Sequence, residues 1–597
     1  MKLREEWKEL LLQSNNIYIY GAGKIGKQIF KLVKISGEQQ KVRGFIVSNI
    51  KGNPQQIEDV PVLQIDEVKD KDSDIFVAVT DVYQEEILEL LRSKNFGKVK
   101  ITYKFLGLVE EGNHDSTGIS NVIMIDTREL CRQQFGEEPR LDIIVRILAI
   151  EEYYDTNDYG LELYNKMMDK RIRKGYSKYA ERRFKELIKS FESDGYHENS
   201  EIFVDQELHL LDGSHRLALA IYHGQPEVCI RILKKKQNVQ YGPKWFSDNF
   251  SESECSLIHN KFECVLKSCF CSIIGILWPS AMKYFEEITQ LIDEEYGVLS
   301  YKDYEMPWEI FSRFVYGVYH VDSIAGWKVA TKLEHMKKHM MDHGLCSVRI
   351  VKINMEYPDY RIKSIGRTIS KEGEKLKKRI REKYKSKIEN YFTDIIFHTA
   401  DNYCQSEYIQ ALIDDAFSLP PLMEKINDFR YMLIKTENDY FPKNFPISYP
   451  KYKDIDIICD KDNFQDIEKT ILDYLSSNLD DRYMIKEVIK FEGNVLIRVE
   501  LKDFLILGFD LHVSVPYVCA EFIDRSLKQR IRRENYFVSC QEDEIVYRMV
   551  GLFSNPQKER HLRFIKDNWK ETYAEYLLQC VRPQYRKEFK YFISAII

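Results

Sequence analysis

Glycine and proline are scarce in this 597-residue chain, at 27 and 16 residues, which argues against long low-complexity linkers. No charge of one sign dominates: 88 Lys plus Arg against 94 Asp plus Glu leave a net charge of −6. Such a surface has no electrostatic footprint for general nucleic-acid binding. The twelve cysteines include no CxxC pair, and the two nearest in sequence are Cys269 and Cys271. Scattered thiols in a long chain predict free cysteines in a reducing compartment rather than a disulfide framework. The longest apolar run, Cys269–Trp278, is about half of the ~20 residues that span a bilayer. The opening MKLREEWKELLLQ reads as a charged amphipathic helix without the apolar core of a signal peptide. These absences predict a soluble cytoplasmic protein with no membrane span.

Core-forming material is plentiful: 44% of residues are hydrophobic, with 38 Tyr and 32 Phe. At roughly 150 residues per domain the length predicts about four domains. The pattern along the chain divides at 1–115, 119–240, 262–415 and 422–597. The expected fold class is α/β and α+β, multidomain.

The first region runs from a β-rich stretch, Asn16–Tyr20, into Gly21-Ala22-Gly23-Lys24-Ile25-Gly26 and then the helical pattern KQIFKLVKIS. Further strands are predicted over Val42–Val47 and Asp74–Val79, and a helix over Gln84–Lys94. Strands alternating with helices imply a parallel sheet. Gly21, Gly23 and Gly26 fit a GxGxxG turn, which brings backbone N–H groups and a helix start up to a phosphate. Ser48-Asn49 stands where a dinucleotide site wants a ribose-binding carboxylate. The region resembles the Rossmann-like domains of bacterial sugar-modifying and glycan-assembly enzymes. That resemblance implies either nucleotide-sugar binding or a structural role.

The second region carries a strand, Ile202–Asp205, and then Leu211-Asp212-Gly213-Ser214-His215-Arg216-Leu217. A carboxylate, an imidazole, a guanidinium and free helix-start N–H groups meet at one point, which suits phosphate. The segment resembles the nucleotide-binding motif of the ParB/sulfiredoxin-like superfamily, whose members include kinases of free serine. The resemblance implies nucleotide-binding roles for Gly213 and Ser214 and catalytic roles for Asp212, His215 and Arg216. It also implies an upstream carboxylate, for which Glu181 is the nearest candidate. The plainer reading is that His215 and Arg216 only cap a helix.

The third region is expected to open with a strand over Cys271–Leu277, a Trp278-Pro279-Ser280-Ala281 turn, a helix over Tyr284–Glu295 and a strand over Gly297–Tyr301. Near its end stands Asp394-Ile395-Ile396-Phe397-His398-Thr399-Ala400-Asp401-Asn402. These two pieces resemble nucleoside diphosphate kinases, of ferredoxin-like fold. The resemblance implies that His398 is the phosphate-accepting nucleophile, and the basic stretch with Arg367, Lys377, Arg379 and Arg381 is a source of phosphate contacts. Trp278, Ser280, Ile395 and Cys404 replace the family's Lys, Asp, Asn and Glu. The degenerate alternative is a nucleotide-binding or structural domain. His335, His339 and His343 are spaced to share one helix face, read as solvated rather than metal-binding.

In the fourth region Asp454 and Asp456 alternate along a predicted strand, and Gly508-Phe509-Asp510-Leu511-His512 follows about fifty residues later. Three carboxylates on adjacent strands suit Mg²⁺ ions holding a triphosphate. The pattern resembles divergent bacterial nucleotidyltransferases, which implies metal-ligand roles for Asp454, Asp456 and Asp510. The family's Gly-Ser turn is missing: Ser448 precedes Pro450 with no glycine beside it. The helical tail carries Lys558, Arg560 and Arg563, predicted to face the same cleft.

Together these regions predict a Mg²⁺-dependent phosphotransferase using ATP or another NTP. The expected acceptor is a sugar, alditol or serine-like molecule, in capsule or surface-glycan synthesis alongside other glycan-assembly enzymes. One alternative is nucleotidyl transfer with release of pyrophosphate in the last region. The other is a nucleotide-binding scaffold.

Overall fold

The amphipathic opening folds as helix α1 (Lys2–Gln13), which buries Trp7 and Leu11 in the core of the sheet that follows. The computed structural model describes residues 2–597 apart from 51–52, 80, 103–104, 106–121, 137, 173, 197–200, 235–240, 271, 323, 325, 365–366, 393, 415–416, 437–443, 446–453 and 492. The expected boundaries at 115, 119, 240 and 415, the first residue of the predicted Cys271–Leu277 strand, and the Ser448–Pro450 turn lie outside the described residues. The chain forms two compact units: residues 1–270 with 360–368, and residues 271–359 with 369–597. Both are mixed α/β.

In the first unit, β1 (Ile17–Tyr20) lies between β2 (Val42–Val47) and β5 (Asp74–Val77) and runs parallel to both. With β3 (Gln56–Ile57), β4 (Val60–Gln64) and β6 (Val99–Ile101) they form a six-stranded sheet of order β3-β4-β2-β1-β5-β6. Ile17, Ile19, Phe45, Ile75 and Phe76 are fully buried, as a parallel sheet covered on both faces requires. Helices α2 (Lys24–Ile35) and α3 (Asp81–Ser93) alternate with these strands.

The same unit holds a second sheet of β7 (Val122–Asp126), β8 (Ile202–Val204), β9 (Leu210–Asp212) and β10 (Glu227–Ile232), in the order β7-β10-β8-β9. Its helices are α4 (Thr127–Gln134), α5 (Leu141–Tyr153), α6 (Gly160–Arg171), α7 (Ser177–Asp194), α8 (Ser214–Tyr222), α9 (Pro243–Asn249) and α10 (Glu252–Ser268). Phe262 on α10 meets Phe135 edge-on at 5.3 Å, which ties α10 to this unit's core.

The second unit opens with β11 (Ile273–Leu277), α11 (Phe285–Tyr296), β12 (Val298–Pro307), α12 (Trp308–His320), α13 (Gly326–Lys337) and β13 (Leu345–Ile353). Then come α14 (Lys371–Tyr384), β14 (Phe397–Thr399) and α15 (Tyr403–Ile413). The sheet order is β12-β13-β11-β14, with every neighbouring pair antiparallel. One expectation is corrected here. Helix α13 stops at Lys337, so His335, His339 and His343 do not share a helix face. His335 instead stacks on Phe392, 4.4 Å between ring centroids.

The C-terminal sheet of this unit has seven strands: β15 (Tyr431–Ile434), β16 (Ile455–Cys459), β17 (Tyr483–Phe491), β18 (Asn494–Leu501), β19 (Phe504–His512), β20 (Ile531–Arg532) and β21 (Phe537–Val538). Their order is β17-β18-β19-β16-β15-β21-β20. Helices α16 (Gln541–Ser554), α17 (Glu559–Asn568), α18 (Thr572–Cys580) and α19 (Arg586–Ile596) complete it, as the tail pattern predicts.

Candidate active site

Strands β16 and β19 are parallel neighbours, and their register sets Asp456 directly opposite Asp510. Alternation along β19 then brings His512 to the face of Asp510. Asp456, Asp510 and His512 each present a ligand atom within 4.8 Å of the other two. His512 Nε2 lies 3.3 Å from Asp510 Oδ2, and its Nδ1 is hydrogen-bonded to the side chain of Asn494 on β18. The buried Asn494 amide fixes the orientation of the ring.

Asp454 shares the face of Asp456 but is not one of the three clustered donors. Its carboxylate lies against Gly508, where a Cβ would collide with it. Gly508 therefore makes room for Asp454 on the neighbouring strand.

Cations surround the acidic pair. Lys435, one residue beyond β15, places its ammonium 2.5 Å from Asp456 Oδ1. Its backbone is fixed from α16: Glu544 Oε2 accepts the Lys435 N–H at 2.9 Å, and Glu544 Oε1 accepts from Arg548 Nε at 2.7 Å. Burial lowers the pKa of Lys558, and Lys435 lowers it further, against the opposing pull of Asp456 and Asp510. Lys558 therefore belongs to the same electrostatic neighbourhood, as the sequence predicts. His561 behind it is fully buried, with neither ring nitrogen hydrogen-bonded among the described residues.

The donor set of two carboxylates and one imidazole fits a divalent cation. The imidazole favours Mn²⁺ over Mg²⁺, which prefers oxygen throughout. The cationic fringe suits the phosphates that such an ion would hold.

In the first unit, the Asp212–Arg216 segment forms the predicted strand, turn and helix. Gly213 sits at φ +102° and α8 starts at Ser214. Asp212 is exposed, and its Oδ1 accepts the Gly213 N–H at 2.7 Å. Arg216 turns back to donate to the carbonyl of Glu201. His215 lies between Tyr164, whose hydroxyl is 2.9 Å from Nε2, and Phe184, 4.6 Å away between rings. Burial, then Arg146 and Arg171, push the His215 pKa well down. Glu181 is held by Asn165 and Lys185, both at 2.6 Å.

Beside Ser214 lies a cluster that sequence reasoning missed: Arg140, Asp142, Arg146 and Arg171. The available signal was two charged residues inside the otherwise apolar LDIIVRILAI helix.

In the first sheet, Gly21 takes φ +112°, and a Cβ there would come within 2.8 Å of the Ala78 carbonyl oxygen. A Cβ on Gly26 would collide with the Gly21 carbonyl, whereas one on Gly23 would meet nothing within 4 Å. Two of the three glycines are thus required by strand–helix packing alone.

In the second unit, His398 lies on β14 opposite Ile276, buried, with Nε2 unpartnered among the described residues. Burial, then Lys377, lower its pKa well below the usual range. The nearby cations are already engaged: Lys377 with Asp401 at 2.9 Å, Arg381 with Asp394 at 2.5 Å, Lys332 with Asp394 at 3.4 Å. Arg379 pairs with Glu295, and Arg367 belongs to the first unit. Trp278 is a fully buried core residue packed on Phe311, Phe314 and Tyr319.

Among the described residues no helix is long and apolar enough to cross a membrane. Compared with protein-family models, curated proteins and solved structures, the chain matches none of them.

Proposed function

We propose that this protein is a divalent-metal-dependent transferase of a nucleotidyl group, acting at Asp456 and Asp510 in the second unit and releasing pyrophosphate from an NTP. The observation that carries this reading is the in-register opposition of Asp456 and Asp510 with His512 within ligand distance. Two anionic ligands on adjacent parallel strands hold a cation rigidly. Lys435 and Lys558 supply the positive charge that a triphosphate needs. Asp454 then serves at the edge of the site, either on a second ion or on the acceptor hydroxyl.

Phosphoryl transfer to a sugar, alditol or serine-like acceptor at Asp212 finds less support, because Arg216 and Glu181 are engaged elsewhere. Transfer through His398 is likewise weakened by its burial and by Trp278 in the core. The other domains are read as nucleotide-binding or structural modules. The parallel strands β4-β2-β1-β5-β6 of the six-stranded sheet support a Rossmann-like assignment of the first. The second retains its ParB/sulfiredoxin-like reading on the Asp212–Arg216 segment. The antiparallel order β12-β13-β11-β14 supports a ferredoxin-like third. A role in bacterial surface-glycan synthesis rests on the Rossmann-like resemblance.

The test is phosphorus NMR of the full chain with Mn²⁺ or Mg²⁺, ATP and CTP, and a pool of sugars, alditols and serine. Pyrophosphate with a new diester signal is expected, falling at least a hundredfold or so in Asp456→Asn and Asp510→Asn. A nucleoside diphosphate with a new phosphomonoester, unaffected by those substitutions, would overturn the reading.

A further inference from the structure

The most unusual charge arrangement of the first unit lies away from the acidic pair. Asp142 is completely buried, yet three arginines converge on it. Arg140 grips it with both ends of its fork, Nε to Oδ1 at 3.0 Å and Nη2 to Oδ2 at 2.8 Å. Arg146 and Arg171 reach the same Oδ2 at 3.0 and 3.2 Å. Three positive charges against one negative leave the group at +2, with Arg140 and Arg146 only 5% and 3% exposed. Burial lowers the Arg146 pKa to about 10, with Arg171 adding to it, and the residue remains cationic at neutral pH. Uncompensated buried charge is costly.

The local carboxylates do not compensate it. Asp142 has accepted all three guanidiniums already, and Glu181 is bound to Lys185 and Asn165. Arg146 Nε is a buried donor without an acceptor among the described residues. His215 adds no charge, since its surroundings hold it neutral.

The cluster also meets a helix start. Arg140 Nη2 lies 3.3 Å from Ser214 Oγ, the first residue of α8. The N–H groups of a helix's first turn have no intrahelical acceptor and carry partial positive charge. Arg171, with 16% of its side chain exposed, is the least buried of the three and stacks on Tyr241 at 3.8 Å. A flat aromatic thus fixes the guanidinium nearest to solvent.

We propose that Arg140, Arg146 and Arg171, gathered on Asp142 beside the first turn of α8, form a binding site for a phosphate-class oxyanion. Guanidinium forks gathered on Asp142, with Arg140 reaching the first residue of α8, match an oxyanion with several acceptor oxygens. The anion supplies the missing negative charge, and Ser214 donates its hydroxyl to it. This site lies in the first unit and does not depend on the reading of Asp456 and Asp510.

The test is isothermal titration of the full chain with inorganic phosphate in EDTA, so that no metal site contributes. Saturable binding is expected, weakened on the order of tenfold in Arg171→Gln and severalfold in Ser214→Ala. Asp456→Asn is expected to bind as the parent does. Displacement of phosphate by ADP or by a sugar monophosphate tells whether the natural source is a nucleotide or a simple phosphomonoester. Ser214→Ala leaves the buried arginines intact and gives the readout on its own where Arg171→Gln does not fold. Failure of the parent chain to bind, equal binding by the folded variants, or equal competition by acetate overturns the proposal.

Discussion

His561 is completely buried, with both ring nitrogens unpartnered among the described residues, so acid should find it out. Burial, then Arg560, Arg548, Lys435 and Lys558, push its pKa from 6.5 down to about 3. Between those values the unfolded chain binds a proton that the folded chain refuses. Stability therefore falls as pH drops below about 6.5 and is flat above about 7. For one such histidine the loss between pH 7 and pH 5 is ~2 kcal/mol, at ~1.4 kcal/mol per unit once titration is under way. His561→Leu removes the titrating ring and two unsatisfied buried polar atoms. It should be no less stable than the parent at pH 7, and should lose ~2 kcal/mol less on going to pH 5. His398 is depressed in the same direction but is common to both proteins and cancels in the comparison. With two units in the chain a global melt would mix transitions. The measurement is therefore hydrogen exchange of peptides covering 541–568 along a urea series at each pH. An identical acid loss in parent and variant would refute the electrostatic argument.

Two further predictions concern the first unit. Gly26→Ala drives a methyl into the Gly21 carbonyl and should cost ~2 kcal/mol or more, read by hydrogen exchange of peptides covering 17–35 along a urea series, whereas Gly23→Ala should fold as the parent does. Cys131 and Cys269 are buried with their sulfurs 3.1 Å apart. Mild diamide should join this pair in preference to the other cysteines, detectable by peptide mass mapping, and a random pattern of disulfides would count against the geometry.

Much of this architecture was legible because it rests on local rules. The strand–glycine–helix opening and the strand ending at Asp212 appear as the sequence implies, whereas the strand expected to carry both Asp454 and Asp456 begins at Ile455. Partnerships across strands were harder to see. The nucleotidyltransferase resemblance implies adjacent strands for Asp456 and Asp510, but nothing near Asp456 in sequence announces that Lys435 will reach it from just beyond β15. His512 was within reach, since a D-L-H triplet in a strand must put its first and third side chains on one face. The histidines at 335, 339 and 343 show the reverse failure. Helical spacing was present, but the helix ends before the second of them. Arg216 looked like a phosphate ligand from its place after the glycine turn, yet its long side chain turns to a backbone carbonyl that sequence cannot locate.

The ammonium of Lys435 on Asp456 has a consequence for how the second unit assembles. Clustered carboxylates repel one another, and many metal centres hold together only once the ion arrives. Here a tethered ammonium already neutralises Asp456, so the acidic pair does not need an ion to assemble. On the proposed reading, loading would be an exchange: a divalent ion would displace the lysine and leave its ammonium at the rim, on the side where phosphates would bind.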